Sequence, residues 1–311
     1  MTRGGPDVPR DRAPSPVPDA GIGPPVTPGE PVAVADRVFR LTAPNPSDMT
    51  GPGTNTYLVG AREIVAIDPG PVIDGHLDAI EASVADAGGS IRWIAVTHHH
   101  LDHAPAAVAL AERTGAELVA FGHAKGVAPD RKVGDGFVLD GPDFHLRALH
   151  TPGHASDHLC WLLEEEAMLF SGDHVMQGST VVIGPPDGNM IEYLDNLDRL
   201  LHHDPPIVVI APGHGRMIGD PAGVISSIVR HRLEREARIA DALHELGRGT
   251  VDELLPGVYA DVREALLPVA RRSLWAHLQK LAVDGRARLA DDDETDPLRS
   301  SETSTWEAVV G

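Results

Sequence analysis

The segment Thr97-His98-His99-His100-Leu101-Asp102-His103 follows directly on Ile91-Arg92-Trp93-Ile94-Ala95-Val96, a short and nearly continuous apolar run. Such a run reads as a buried strand, so imidazoles and a carboxylate crowd together where a strand ends. His98 and His100 are two residues apart and can point the same way from an extended backbone. Asp102 and His103 lie on the turn into the next helix and can face a neighbouring point. Imidazole and carboxylate are the ligands zinc takes where cysteine is absent. The segment therefore offers donors for two ions, and other segments must complete their shells.

Three further segments can do so: Thr151-Pro152-Gly153-His154, Ser171-Gly172-Asp173-His174 and Pro212-Gly213-His214-Gly215. Each sits where an apolar strand gives way to a loop, and a rigid sheet with ligands at its strand ends holds metal geometry well. His154, Asp173 and His214 are the suppliers. Singly, each signal has a bland reading. A His-rich tract is often adventitious, Asp102 alone would more often cap the following helix, Asp173 after a glycine suits a turn, and Pro-Gly-His-Gly is itself a turn. Together they are specific, because nine of the 17 histidines fall in or beside these four segments.

The 311 residues suffice for one large domain and a small one. Residues 1–32 read as a disordered segment, since the first 31 carry nine of the 27 prolines and almost no large apolar residue. No apolar h-region follows its basic residues, and no run approaches the ~18–20 apolar residues of a membrane span. The expected location is cytoplasmic, with no membrane partner. Cys160, the one cysteine, lies in an apolar run and reads as a small buried hydrophobe. Residues 33–220 alternate strands and helices. Residues 221–290 read as helices, then a turn and a short strand, which suggests a winged helix. Residues 291–311 carry seven acidic residues and one Arg, and read as a disordered tail.

The pattern His-x-His-x-Asp-His, followed by His, Gly-Asp and Gly-His, resembles the metallo-β-lactamase superfamily over roughly residues 35–220. The resemblance implies an α/β fold, an αββα sandwich with metals at one edge of its two sheets. It implies one zinc on His98, His100 and His154, a second on Asp102, His103 and His214, and Asp173 bridging both with a water or hydroxide. Manganese and iron are the other metals considered. The exported enzymes of the superfamily that destroy antibiotics generally lack a bridging Asp, so lactam hydrolysis is disfavoured. Thr151 to His158, Gly178-Ser179-Thr180, Arg230 to Glu236 and Leu274 to Leu289 are similar to the lactamase-beta-like-2 group, which includes a mitochondrial endoribonuclease and has a C-terminal winged-helix-like domain. Ala104-Pro105-Ala106 departs from the small residue-Gly-Gly of many members, so access beside the metals can differ.

Two divalent ions acidify a shared water and clamp a displacement at a carbonyl or phosphoryl centre. Asp102 and Asp173 are the candidate catalytic carboxylates, with Asp102 able to take the proton of the nucleophile. His158 and His174 are candidates for orienting ligands or protonating the leaving group, and His158 is the one singled out as catalytic. His99 and His150 read as packed or exposed. Three functions follow. The first is a phosphodiesterase on single-stranded RNA, resting on the subfamily and on Arg230, Arg232, Arg235, Arg271, Arg272, Lys280, Arg286 and Arg288. The net charge of −20 and an aromatic content of 4% weigh against it. The second is a glyoxalase II-like hydrolase of a small thioester or ester. The third is a regulatory or nucleic-acid-binding protein with structural metals. A homo-oligomer is left open.

Overall fold

The computed structural model describes residues 17–122, 126–290 and 296–309. In chain order the elements are β1 (Gly21–Ile22), β2 (Val32–Ala35), β3 (Val38–Thr42), β4 (Asn55–Val59), β5 (Glu63–Ile67), α1 (Asp74–Asp86), β6 (Ser90–Ala95), α2 (Pro105–Thr114), β7 (Glu117–Phe121) and β8 (Arg131–Val133). There follow β9 (Val138–Asp140), β10 (His145–His150), β11 (Leu159–Leu163), β12 (Met168–Gly172), α3 (Met190–Leu201), β13 (Val209–Pro212) and β14 (Met217–Ile218). The C-terminal part holds α4 (Pro221–Leu246), β15 (Arg248–Thr250), α5 (Val251–Val258), α6 (Leu267–Val283), β16 (Ala287–Leu289) and β17 (Thr305–Ala308).

Two seven-stranded sheets stack face to face, in the orders β2-β3-β4-β5-β6-β7-β8 and β1-β14-β13-β12-β11-β10-β9. The alternation of strand side chains explains the four layers. Tyr57 and Val59 of β4, with Leu159, Trp161 and Leu163 of β11, enter the core between the sheets. Leu58 faces the other way, into the layer built by Leu77, Ile80 and Leu110 of α1 and α2. Cys160 and Leu162 face Tyr193 and Leu197 of α3 and Ile225 of α4. Both faces of each central strand are buried, which is why these strands read as unbroken apolar runs. The result is the αββα sandwich that the resemblance implies. Among the described residues no helix is long and apolar enough to cross a membrane.

β5 and β6 run parallel, as do β12 and β13. Parallel neighbours end on the same edge, so the loops after β5, β6, β12 and β13 gather along one rim. Local signals fix the helices that leave it. Pro105 occupies the first turn of α2, where a missing N–H costs little, and Gly115 ends that helix at φ 72°. The Asn189 side chain accepts hydrogen bonds from the Ile191 and Glu192 N–H groups and starts α3.

The C-terminal unit is a winged helix of α4, α5 and α6 with a three-stranded sheet ordered β15-β17-β16. Thr250 and Glu253 form a reciprocal capping box at the start of α5. The boundary differs from that expected near residue 220. Val224, Ile225 and Ile228 of α4 pack into the sandwich, whereas Ile239 and Leu243 pack into the winged helix. A 26-residue helix is about 39 Å long and serves both units.

Two expectations of disorder are corrected. In the N-terminal segment, residues 1–16 lie outside the described residues, but residues 17–32, largely exposed, are tied to the sandwich by backbone pairing and hydrogen bonds. Val17 is buried, β1 pairs with β14, and the Arg40 guanidinium donates to the Pro25 carbonyl at 2.9 Å. Prolines lack an N–H but keep an accepting carbonyl, which composition alone does not register. In the acidic tail, residues 291–295 and 310–311 lie outside the described residues. β17, however, is the central strand of its sheet, with Trp306 wholly buried and Glu307 paired to Arg288 and Arg248.

Candidate metal centre

Where the β6 strand ends, Val96 continues its line and the chain turns through Thr97 to His103. His98 Nε2 lies 3.0 Å from His100 Nδ1, and His154 Nε2 lies 2.9 Å from the same atom. Three imidazole nitrogens therefore converge, each with the opposite ring edge directed elsewhere or held. His98 Nδ1 is 2.9 Å from Thr97 Oγ1, and His154 Nδ1 donates to the Val182 carbonyl at 2.7 Å. Those second contacts fix the rings and leave the converging nitrogens as donors to a cation.

A second group forms beside the first. His103 Nε2 lies 3.6 Å from Asp102 Oδ2 and 3.3 Å from Asp173 Oδ1. His214 Nε2 lies 3.3 Å and 3.4 Å from the same two oxygens. Asp173 Oδ2 points to the other group, 3.8 Å from His154 Nε2. The carboxylate thus divides its two oxygens between two sets of imidazoles. The structure brings together all seven residues expected as ligands, and the groups His98–His100–His154, His98–His103–Asp173 and Asp102–His103–His214 each have donor atoms close enough for one ion.

The donor set fits a cation on two observations. His103 Nε2 and Asp173 Oδ1 are buried without a hydrogen-bond partner, a costly arrangement for polar atoms unless something else engages them. The charges point the same way. Burial, and then the surrounding histidines, push His98 well below the usual imidazole range and His100 down to about 4, leaving neutral rings able to ligate. On the other side burial is outweighed. Asp173, Asp68 and Asp102 hold His103 well above its ordinary value, and Asp173 and Asp102 hold His214 up to about 9. Against its own burial, Asp102 is held down to about 2 by His103 and His214. The paired carboxylates demand positive charge where the two rings meet them.

Residues that the sequence reading passed over support this centre. Asp68, just after β5, accepts from Thr97 N at 2.7 Å, from Thr97 Oγ1 at 2.6 Å and from His103 Nδ1 at 2.8 Å. Asn55 Nδ2 donates to the carbonyls of Pro212 at 3.0 Å and Gly215 at 2.9 Å, holding the loop of His214. The only available signal was a polar residue at the end of an apolar strand. Gly172 and Gly213 are also required. A Cβ on Gly172 would come within 2.7 Å of Thr97 Oγ1, and one on Gly213 within 2.8 Å of Asp173 Oδ1.

His158 is wholly buried, with its ring 5.0 Å from that of His98 and its Nδ1 3.0 Å from Thr151 Oγ1. His174 is buried against His158 and Tyr193. His99 turns away from the ligand set to Asp157, at 2.8 Å. His150 stacks on Phe121 with ring centroids 4.1 Å apart. Buried Cys160 lies 3.3 Å from Thr151 Oγ1.

Residues 49–214 match the metallo-beta-lactamase superfamily, and residues 250–295 match the beta-lactamase associated winged helix domain. The chain is 35% identical over 268 residues to an atrochrysone carboxyl ACP thioesterase of Aspergillus chevalieri, covering 80% of this chain and 81% of that one. It is 30% identical over 271 residues to a beta-lactamase-like protein 2 homolog of Caenorhabditis elegans, covering 84% and 90%. Among solved structures, a beta-lactamase domain protein from Burkholderia ambifaria superposes with a TM-score of 0.75 at 20% identity, covering 91% of this chain and 95% of that one. A metallo-beta-lactamase family protein from Thermus thermophilus gives 0.71 at 22%, covering 89% and 100%. These two likenesses concern the fold.

Proposed function

The chain belongs to the metallo-beta-lactamase superfamily and is a metal-dependent hydrolase, and on that premise we propose that it hydrolyses an acyl thioester at a centre for two divalent ions, zinc above all. The observation that carries the two-ion reading is the division of Asp173, whose Oδ1 faces His103 and His214 while Oδ2 faces His154. His98, His100 and His154 would hold one ion, and Asp102, His103 and His214 the other. When bound, such a pair supplies Lewis acidity and a water acid enough to act as a nucleophile near neutral pH.

The protein's own groups orient and take protons. Asp68 and Thr97 hold His103 and His98 in fixed tautomers. Asp102, with 30% of its side chain exposed, is the more open carboxylate, and we assign it the proton of the attacking water. Water adds to the carbonyl carbon, the C–S bond breaks, and the sulfur leaves with its electron pair. A thiol has a pKa near ~8.5, so a thiolate departs without a strong general acid. No proton from His158 is needed, and His158 acts as a positioning residue behind His98.

Charge favours the thioester over RNA. Of the eight cations on which RNA recognition would rest, Arg235 pairs with Asp261, Arg271 with Asp252 and Glu302, Lys280 and Arg286 with Glu236, and Arg288 with Glu307, which among the described residues leaves Arg230 and Arg272 exposed without a carboxylate. Arg232 is buried against the Val181 carbonyl. A groove that tracks phosphates needs cations free to neutralise them. The relative from Aspergillus chevalieri, named as a thioesterase, supports the same choice.

The test is a paired assay on metal-quantified protein beside Asp173→Ala, with an acyl-thioester panel and single-stranded RNA. The expected result is thioester hydrolysis that falls at least about 100-fold in the variant, with RNA left intact. Asp173-dependent RNA cleavage without thioester hydrolysis would overturn the reading.

A further inference from the structure

Among the cations of α4 to α6, Arg272 stands apart. It is exposed near the start of α6 and, among the described residues, has no hydrogen-bond or ion-pair partner. In a chain of net charge −20 that pairs most of its neighbouring arginines, an unpaired guanidinium is conspicuous.

Its place is also defined. The side chain lies against Gly184, where a Cβ would come within 2.9 Å of Arg272 Nε and 3.1 Å of Cζ. Gly184 belongs to the loop between β12 and α3, and that loop walls the metal centre. Its Val182 carbonyl holds His154, its Asp187 accepts from Ser156 Oγ at 2.7 Å, and its Val181 carbonyl accepts from Arg232. Gly188 N donates to the Gly184 carbonyl at 2.9 Å, closing the loop on itself. The winged helix thus sets a free cation on the sandwich loop two residues from the carbonyl that orients a ligand.

The opposite wall differs in character. Leu101, between ligands His100 and Asp102 on the β6 side, is 82% exposed, and Met49 on the loop before β4 is half-exposed. The winged helix reaches this wall too, through Arg263 and Asp48 at 3.2 Å. The metal centre therefore has an exposed leucine on the β6 side and, on the other, a loop that carries Asp187 and is touched by Arg272.

We propose that Arg272 determines specificity by binding an anionic group, a phosphate or carboxylate, on the thiol portion of the thioester, while the acyl chain lies along Leu101. The assignment rests on the thioester reading for its reaction but on the loop geometry for its cation. A guanidinium favours oxyanions through paired N–H donors, and anchoring the thiol arm there would orient the thioester toward the ligand cluster.

The experiment compares S-acyl phosphopantetheine, S-acyl glutathione and neutral S-acyl pantetheine of one acyl chain, on metal-loaded wild type, Arg272→Ala, Arg272→Lys and Gly184→Ala. Gly184→Ala displaces the guanidinium without changing charge. Arg62→Ala removes an equal charge from the turn between β4 and β5 and serves as the control. Dissociation constants of free phosphopantetheine, glutathione and pantetheine are measured in parallel. The expected result is a fall of about tenfold in the anionic-to-neutral ratio of kcat/KM, and of affinity, in Arg272→Ala. Lysine restores part of it, Gly184→Ala reproduces part of the loss, and Arg62→Ala keeps the wild-type ratio. The phosphate and carboxylate arms show which anion is read. Ratios and affinities unchanged in Arg272→Ala, or changed equally by Arg62→Ala, overturn the proposal. If no thioester is hydrolysed, the reaction assignment fails, and the affinity ratio alone decides for or against Arg272.

Discussion

The Asp68 carboxylate accepts a hydrogen bond from His103 Nδ1 at 2.8 Å, across 35 residues of sequence. The bond fixes the proton on Nδ1 and aims Nε2 at Asp102 and Asp173. It also ties the end of β5 to the turn after β6, because the same carboxylate receives the Thr97 backbone and hydroxyl. Replacing Asp68 with Asn should lower metal affinity by about 10–100-fold, as loss of an orienting partner does. Competition with a chelator of known affinity measures it. An unchanged affinity would show that the bond is incidental to the centre.

Metal removal should destabilise the sandwich itself. The polar atoms left facing one another, His103 Nε2 and Asp173 Oδ1 among them, are buried. Metal present at about 1,000 times its dissociation constant stabilises the folded chain by about 4 kcal/mol. Chelation should therefore lower Tm by several degrees, and zinc should restore it. Calorimetry with and without chelator gives the answer, and identical Tm values would count against a built site.

Trp306 should hold the winged helix together. It is wholly buried among Leu243, Leu254, Leu274 and Leu278. Trp306→Ala should cost about 3–5 kcal/mol, expressed as early unfolding of the C-terminal unit, while metal content stays at the wild-type level. Denaturant unfolding followed by limited proteolysis would separate the two units. A single unshifted transition would contradict the packing of β17.

Acid should weaken the C-terminal unit through its buried histidines. Burial pushes His277 down to about 4, opposed by Glu236 and aided by Arg232 and Lys280, and pushes His231 down to about 4. A histidine whose folded pKa is depressed stays neutral while the unfolded chain takes up a proton. Stability is therefore complete above about pH 6.5 and declines as pH falls toward 4. Glu236, held below its ordinary value against its burial by His277 and Lys280, adds a loss in the same direction at lower pH. His277→Gln should flatten the Tm decline between pH 6.5 and 4, read from calorimetric scans. An equally steep decline would assign the acid sensitivity elsewhere.

The ligand set was legible because each member ends a strand whose apolar character is visible, and strand ends on one edge must meet. Asp68 was not legible, because its partner is 35 residues away and an Asp before Pro-Gly also suits a turn. The winged helix could be read from helical spacing and the Asp284-Gly285 turn, but its central strand could not. Thr305-Trp306-Glu307-Ala308 sits in an acidic stretch whose Glu302 and Glu307 meet Arg271, Arg288 and Arg248 in three dimensions. The N-terminal prolines misled for a related reason, since their carbonyls find Arg40 across the fold. Arginines counted from sequence as an RNA surface are mostly paired with carboxylates once the helices pack.

The most direct measurement is a titration of metal-free protein with zinc, followed by the rate of acyl-thioester hydrolysis. The rate should rise and level off at two equivalents per chain, with Asp173→Ala failing to reach the plateau. A plateau at one equivalent, or hydrolysis that proceeds without added metal, would contradict a centre in which Asp173 joins two ions.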